Sequence, residues 1–180
     1  MKRVLLGLGS NRTFNNRTPL ENLECACADL KRLLADPSFS SVYKTKAMYV
    51  EDQDDFYNMA VLGFIADDFD AFEFLKIINK IEEKYGRNRQ NEIRFGPRPL
   101  DIDIELFGDE KYDTEILTVP HPRIKERAFV LIPAIEILDN SADIQIRREY
   151  EECLEKLKKQ GEVSVEKIDS YGTRDSKKFS

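Results

Sequence analysis

Arg94-Phe95-Gly96-Pro97-Arg98-Pro99-Leu100-Asp101-Ile102-Asp103-Ile104-Glu105-Leu106-Phe107 is the stretch from which the fold of this chain is read. From Asp101 onward polar and apolar residues alternate, the period of a β-strand. Successive strand side chains point to opposite faces. Ile102, Ile104 and Leu106 are therefore expected on one face, and Asp101, Asp103 and Glu105 on the other. Same-face neighbours lie roughly 7 Å apart, and carboxylates that close repel one another unless water or a cation intervenes. Read alone, such a strand is most often a solvated face. The residues before it change the reading. Arg87, Arg89, Arg94 and Arg98 bring positive charge that does not titrate. The Gly96-Pro97-Arg98-Pro99 turn feeds the strand from a stiff backbone. Carboxylates suited to Mg²⁺ beside arginines suited to phosphate oxygens point to a nucleoside triphosphate site.

Outward from this strand the elements alternate. Arg3 to Gly9 is short, apolar and ended by Gly-Ser-Asn, which reads as a buried strand. After a polar loop over residues 12–18, Thr18-Pro19-Leu20-Glu21 opens a helix. Thr18 is the N-cap, Pro19 the first residue, and Glu21 completes a capping box. Leu20, Leu23, Cys27, Leu30 and Leu34 recur at helical spacing and should face the core. Phe39 to Val50 and Asp55 to Ala66 read as two strands, an antiparallel pair separated by an acidic turn. Asp70 to Tyr85 is a second amphipathic helix with Phe74, Ile77, Ile78 and Ile81 inward, closed by Gly86. Gly108-Asp109 is a turn. A short apolar helix runs around Phe129 to Leu138, with Pro133 within it or at its edge. Residues 143–160 form a charged helix, 162–168 an edge strand, and 171–180 a polar, frayed end. The order β-α-β-β-α-β resembles an α+β, ferredoxin-like core with a mostly antiparallel sheet. We divide the chain into a catalytic domain over 1–138 and a charged C-terminal extension over 139–180.

With 180 residues, one core is expected. The net charge of -6 and pI near 5.0 argue against nonspecific nucleic-acid binding, while leaving the local positive charge at Arg87 to Arg98. Cys25, Cys27 and Cys153 lack a framework spacing and read as ordinary thiols. No stretch has the length of a membrane span, and the apolar run after Met1-Lys2-Arg3 is too short for a signal peptide. A cytoplasmic monomer without nucleic-acid or membrane partners is the expectation.

The arginine loop and acidic strand resemble the signature of the 6-hydroxymethyl-7,8-dihydropterin pyrophosphokinase family of folate biosynthesis. Five further blocks agree in order: Gly9-Ser10-Asn11, Tyr43-Lys44-Thr45, Phe56 to Val61, Glu82 to Arg89, and Thr118-Val119-Pro120-His121-Pro122-Arg123 running on into Arg127 to Leu131. The resemblance covers residues 1–138. It implies transfer of pyrophosphate from the co-substrate ATP to the hydroxymethyl group of the reduced pterin, with AMP released. By resemblance, Asp101 and Asp103 hold two Mg²⁺ ions, and Arg87, Arg94, Arg98, Asp101 and Asp103 carry the chemistry. Glu82, Arg87, Arg89, Arg98, His121 and Arg127 bind ATP. Thr45, Phe56, Asn58, Phe95 and Phe129 bind the pterin. Glu105 stands where the family carries an apolar residue and is expected behind the ligands or in solvent. Lys46-Ala47-Met48 departs from the family's proline- and glycine-containing stretch. The loop from Arg87 to Phe95 is expected to close on bound substrates.

Other readings lead elsewhere. An Asp-x-Asp strand on a similar fold also serves polymerase-type nucleotidyl transfer, which releases pyrophosphate. The chain has no Gly-x4-Gly-Lys-Ser/Thr loop, which excludes an ordinary P-loop enzyme. An RNA-binding sheet would need exposed aromatics on a basic surface, and the acidic strand opposes that. A degenerate homologue kept as a binding protein would not need Arg98, Asp101, Asp103 and His121.

Overall fold

Strands β1 (Lys2–Ser10) and β4 (Phe56–Ile65) pair antiparallel over nine residues, from Lys2 opposite Ile65 to Ser10 opposite Tyr57. In the computed structural model, which describes residues 1–46, 53–89 and 96–168, this pair forms the middle of the sheet. On one side β5 (Asp101–Phe107) adds to β1. On the other side β2 (Ala35–Phe39) and β3 (Tyr43–Thr45) both pair with β4, and β8 (Val165–Lys167) pairs with β3. The order β5-β1-β4-β3-β8 is antiparallel throughout. Its first four strands have the ferredoxin-like arrangement.

Two helices cover one face. α1 (Pro19–Leu33) begins with the expected capping box. Thr18 Oγ1 accepts from the Glu21 N–H at 3.3 Å, and Glu21 Oε2 accepts from the Thr18 N–H at 2.7 Å. α2 (Ala71–Lys84) is capped by Asp70, whose Oδ1 accepts from Phe72 and Glu73 N–H. It ends in a Schellman motif: Arg87 N–H donates to Glu82 O, Gly86 N–H to Glu83 O, and Gly86 takes φ +91°. A side chain at Gly86 would collide with the Phe14 ring. Leu23, Leu30, Phe74 and Ile78 of these helices bury against Val4, Leu6, Leu8, Ile102 and Ile104.

The other face carries α3 (Ala128–Ile137) and α4 (Ile144–Lys159) over a second core of Leu5, Ala60, Leu62, Leu131, Tyr150 and Leu157. Pro133 lies inside α3, so the Phe129 carbonyl lacks its N–H partner four residues on. A two-stranded hairpin, β6 (Tyr112–Asp113) with β7 (Thr118–Val119), leads the chain from β5 to His121. The sequence offered only the turn at Gly108 for it.

Two expectations need correction. The strand over Phe39 to Val50 is instead β2 and β3, with residues 47–52 outside the described set. Phe39 pairs with Val61 but Tyr43 with Asn58, so four steps on one strand face three on β4. The extra residue is a bulge at Ser40–Val42. Ser40 Oγ accepts the Ala60 N–H at 2.8 Å and thereby satisfies the interrupted ladder. The second correction concerns Leu106. β5 slips by one residue against β1 between Leu5 and Leu6. Leu106 therefore pairs with Leu5 and joins the second core, opposite to the face of Ile102 and Ile104.

Candidate active site

The bulge in β5 and two glycines of β1 open a cavity of about 230 Å³ between the sheet and the α3 side. Gly7 lies beside Asp103, and a Cβ there would stand 2.8 Å from Glu105 Oε1. Gly9 pairs with Asn58, and a Cβ there would press on Asn58 Oδ1 at 3.2 Å. Both positions are glycine because carboxylate and amide groups cross the sheet surface there.

Ser10 and Asn11 fasten the Gly96–Pro99 turn to the end of β1. Ser10 Oγ donates to Pro99 O at 2.5 Å, Asn11 N–H donates to Arg98 O, and Asn11 Oδ1 accepts the Arg98 N–H at 2.8 Å. Asn11 Nδ2 also donates to Asp54 O at 3.1 Å. Their near-complete burial marks them as a bracket that sets the start of β5. The sequence placed them only at a strand end.

Asp101 and Asp103 both line the cavity. Asp101 sits between two guanidiniums, with Arg87 Nη1 at 2.9 Å from Oδ1 and Arg98 Nη1 at 2.6 Å from Oδ2. Asp103 has no hydrogen-bond or ion-pair partner among the described residues. Burial, then the negative charge of Asp101, pushes its carboxyl up to about 7, against the pull of Arg127. Of the two places expected for Glu105, behind the ligands or in solvent, the structure takes the first: it is 1% exposed. Neither of its buried oxygens has a hydrogen-bond partner among the described residues. Burial and the nearby Asp103 raise its carboxyl far above the ordinary range. Among the described residues no group of three or more His, Cys, Asp or Glu is arranged to hold a metal ion.

Arg89, Arg98, Arg123 and Arg127 also line the cavity. Arg98 and Arg127 each keep a buried Nε without a hydrogen-bond partner among the described residues. Glu82, expected on ATP, is not part of the lining. It is wholly buried on α2. Its Oε1 accepts the Ile102 N–H at 2.8 Å, and its Oε2 holds Arg89 Nη2 at 2.5 Å. Both oxygens are engaged in fixing the outer edge of β5 and aiming Arg89.

His121 enters from the turn after β7. Its N–H donates to Glu105 O at 3.2 Å, and its Nδ1 accepts the Arg123 N–H at 3.3 Å. That bond leaves the proton of the neutral ring on Nε2. Burial, and then Arg127 and Arg123, lower its pKa to about 4. The ring is therefore a neutral donor at pH 7.

At the far side Asn58 Nδ2 donates to Thr45 Oγ1 at 2.9 Å. Phe56 carries Arg98 over its ring at 5.7 Å, and Phe129 carries Arg127 at 5.5 Å. Thr45, Phe56, Asn58 and Phe129 all line the cavity, so a slot with aromatic walls adjoins the charged half. Lys46 and Gln53 extend the lining. Arg94 and Phe95, with the loop closure expected there, lie outside the described residues, as do Ala47 and Met48.

Residues 5–139 match the sequence profile of 7,8-dihydro-6-hydroxymethylpterin-pyrophosphokinase. The chain belongs to this pyrophosphokinase family. A 2-amino-4-hydroxy-6-hydroxymethyldihydropteridine pyrophosphokinase of Bacillus subtilis (strain 168) is 49% identical over 98 residues, 54% of this chain and 56% of that one. Its namesake in Aquifex aeolicus (strain VF5) is 36% identical over 140 residues, 78% of this chain and 82% of that one. A folate synthesis bifunctional protein of Arabidopsis thaliana is 37% identical over 138 residues, 76% of this chain and 27% of its own length. The chain thus spans about half of the Bacillus pyrophosphokinase and about a quarter of the Arabidopsis protein. The crystal structure of wild-type Plasmodium falciparum HPPK-DHPS superposes with a TM-score of 0.63 at 15% identity, over 93% of this chain and 48% of that one. That likeness shows a shared fold.

Proposed function

We propose that this protein transfers the pyrophosphoryl group of ATP to 6-hydroxymethyl-7,8-dihydropterin, giving the pterin diphosphate and AMP in folate biosynthesis. One observation carries the reading. A strand with two carboxylates, a ring of arginines and a neutral histidine share a single cavity with an amide-and-aromatic slot. The charged half suits a triphosphate and the slot suits a flat heterocycle with a polar edge.

Such transfer needs in-line positioning and neutralisation of charge more than covalent catalysis. Arg87, Arg89, Arg98 and Arg127 supply forked donors to phosphate oxygens, and His121 adds a neutral Nε2–H. Glu82 takes part by holding Arg89 and β5. Asn58 and Thr45 meet the polar edge of the pterin, and Phe56 and Phe129 flank its ring. Asp101 and Asp103 fit the role of holding two Mg²⁺. Among the described residues Asp103 has no competing partner, and Asp101 is held by Arg87 and Arg98, which phosphate can take over. Two carboxylates suffice because Mg²⁺ draws its remaining ligands from water and phosphate. Mg²⁺ held by Asp101 and Asp103 would supply positive charge to offset the charge that develops on the phosphates.

We also read residues 1–138 as the catalytic unit and the cytoplasm as its place. The three cysteines are unpaired, as suits a reducing compartment. Among the described residues no helix is long and apolar enough to cross a membrane. The test is to incubate the protein with ATP, Mg²⁺ and the reduced hydroxymethyl pterin and separate the nucleotides. AMP formed only with the pterin and Mg²⁺ present supports the proposal. ADP would indicate an ordinary kinase, and pyrophosphate without AMP a nucleotidyl transfer; either overturns it.

A further inference from the structure

Away from the phosphate-facing groups, one carboxylate gathers donors from three segments. Glu136, near the end of α3, accepts from Ser41 N–H at 3.0 Å, Ser41 Oγ at 2.7 Å and Tyr43 OH at 2.9 Å. Lys167 of β8 reaches it at 3.3 Å. Ser41 lies in the bulge before β3, Tyr43 begins β3, and Lys167 pairs with Tyr43 in the sheet. Burial alone would raise the Glu136 carboxyl. Hydrogen bonds from Ser41 and Tyr43 outweigh that and hold it below the ordinary range.

The spacing gives this cluster a consequence for the slot. Glu136 stands seven residues after Phe129, two helical turns along the same stripe of α3. Tyr43 stands two residues before Thr45, on the same face of β3. Phe129, one aromatic wall of the slot, and Thr45, at its polar edge, are therefore carried on two rails. The Glu136–Tyr43 bond ties the rails together about 10 Å along α3 from Phe129 and about 7 Å along β3 from Thr45. β8 stiffens the strand rail through its pairing of Thr45 with Val165 and Tyr43 with Lys167. These last residues lie beyond the family match, which ends at residue 139.

We propose that the Glu136 cluster sets the width of the pterin slot, and that the C-terminal strand acts on pterin binding through it. Glu136, Tyr43 and Lys167 are positioning residues, since none lines the cavity. The inference rests on the pterin reading of the slot given above.

Calorimetric titration of the full chain tests it, using the reduced hydroxymethyl pterin and, separately, a nonhydrolysable ATP analogue with Mg²⁺. Glu136→Gln keeps the shape and removes the charge, and Tyr43→Phe removes one donor. Each should weaken pterin binding by about tenfold and leave the ATP analogue within about twofold. Lys167→Ala should act in the same direction but less. Combining Glu136→Gln with Tyr43→Phe should cost little more than either alone. Leu157→Ala, in the second core away from the cluster, controls for lost stability and should not change the ratio of the two affinities. Equal weakening of both ligands, or unchanged pterin binding in Tyr43→Phe, overturns the proposal. If the native protein itself takes up no pterin, the functional reading fails first.

Discussion

Asp103 and His121 answer to pH in opposite directions, and both responses come from burial. The folded protein holds the Asp103 carboxyl at about 7, above the ordinary 3.8 of an aspartate. That group contributes stability fully below about pH 4, which is lost as pH rises through about 7. His121 is depressed from 6.5 to about 4, so its contribution is present above about 6.5 and lost as pH falls through 4. Comparing wild type with Asp103→Asn cancels the histidine. In EDTA the variant should melt several degrees higher at pH 8 and equally at pH 4; a constant difference would contradict the burial argument. The chain has one histidine, so proton NMR reads it unambiguously. His121 should titrate near 4, and a midpoint near 6.5 would place the ring in solvent. With Mg²⁺ and substrates present, Asp103→Ala should lower turnover by roughly 10²–10³-fold or more, the scale of losing a preorganised electrostatic group. Turnover unchanged in the variant would remove Asp103 from the site. Asp101 and Asp103 were legible because strand period puts them on one face, and Arg98 because its residue type and its place in the turn before β5 set it beside them. Glu82 was not: its spacing from Arg87 says nothing about which oxygen meets the β5 backbone.

At the scale of elements, the helix caps were written locally and were read correctly. Thr18, Glu21 and Gly86 act within a few residues of themselves. The two bulges were not legible, since a bulge is a mismatch between two strands and neither strand declares it alone. Leu106 looked like a partner of Ile104 until the slip against Leu5 turned it over. The break after Phe39 was hidden in the same way, because Ser40 reads as an ordinary strand residue. Its hydroxyl is what makes that bulge tolerable. Ser40→Ala should leave the buried Ala60 N–H without its acceptor and destabilise by about 1–3 kcal/mol. A fall in Tm of at least about 2 °C is expected, and an unchanged Tm would mean that the ladder closes without the side chain.

For the whole molecule, the ferredoxin-like order was legible, and so were the helices and edge strand that follow it, but not how those helices pack as a second layer. Nothing in the charged sequence of α4 announces that Tyr150 and Leu157 bury against α3. Ending the chain at residue 138 should therefore expose the second core and leave a protein without a cooperative melt. A truncated chain with native Tm would show the catalytic unit to be independent of its extension. In the proposed reaction one cavity aligns the pterin hydroxyl with the β-phosphorus of ATP. Phosphorus NMR with pterin carrying ¹⁸O in its hydroxymethyl group tests this directly. The prediction is AMP plus a pterin diphosphate whose pterin-bonded phosphorus shows the isotope shift. Label in AMP, or a pterin product bearing adenylate with free pyrophosphate, would contradict it.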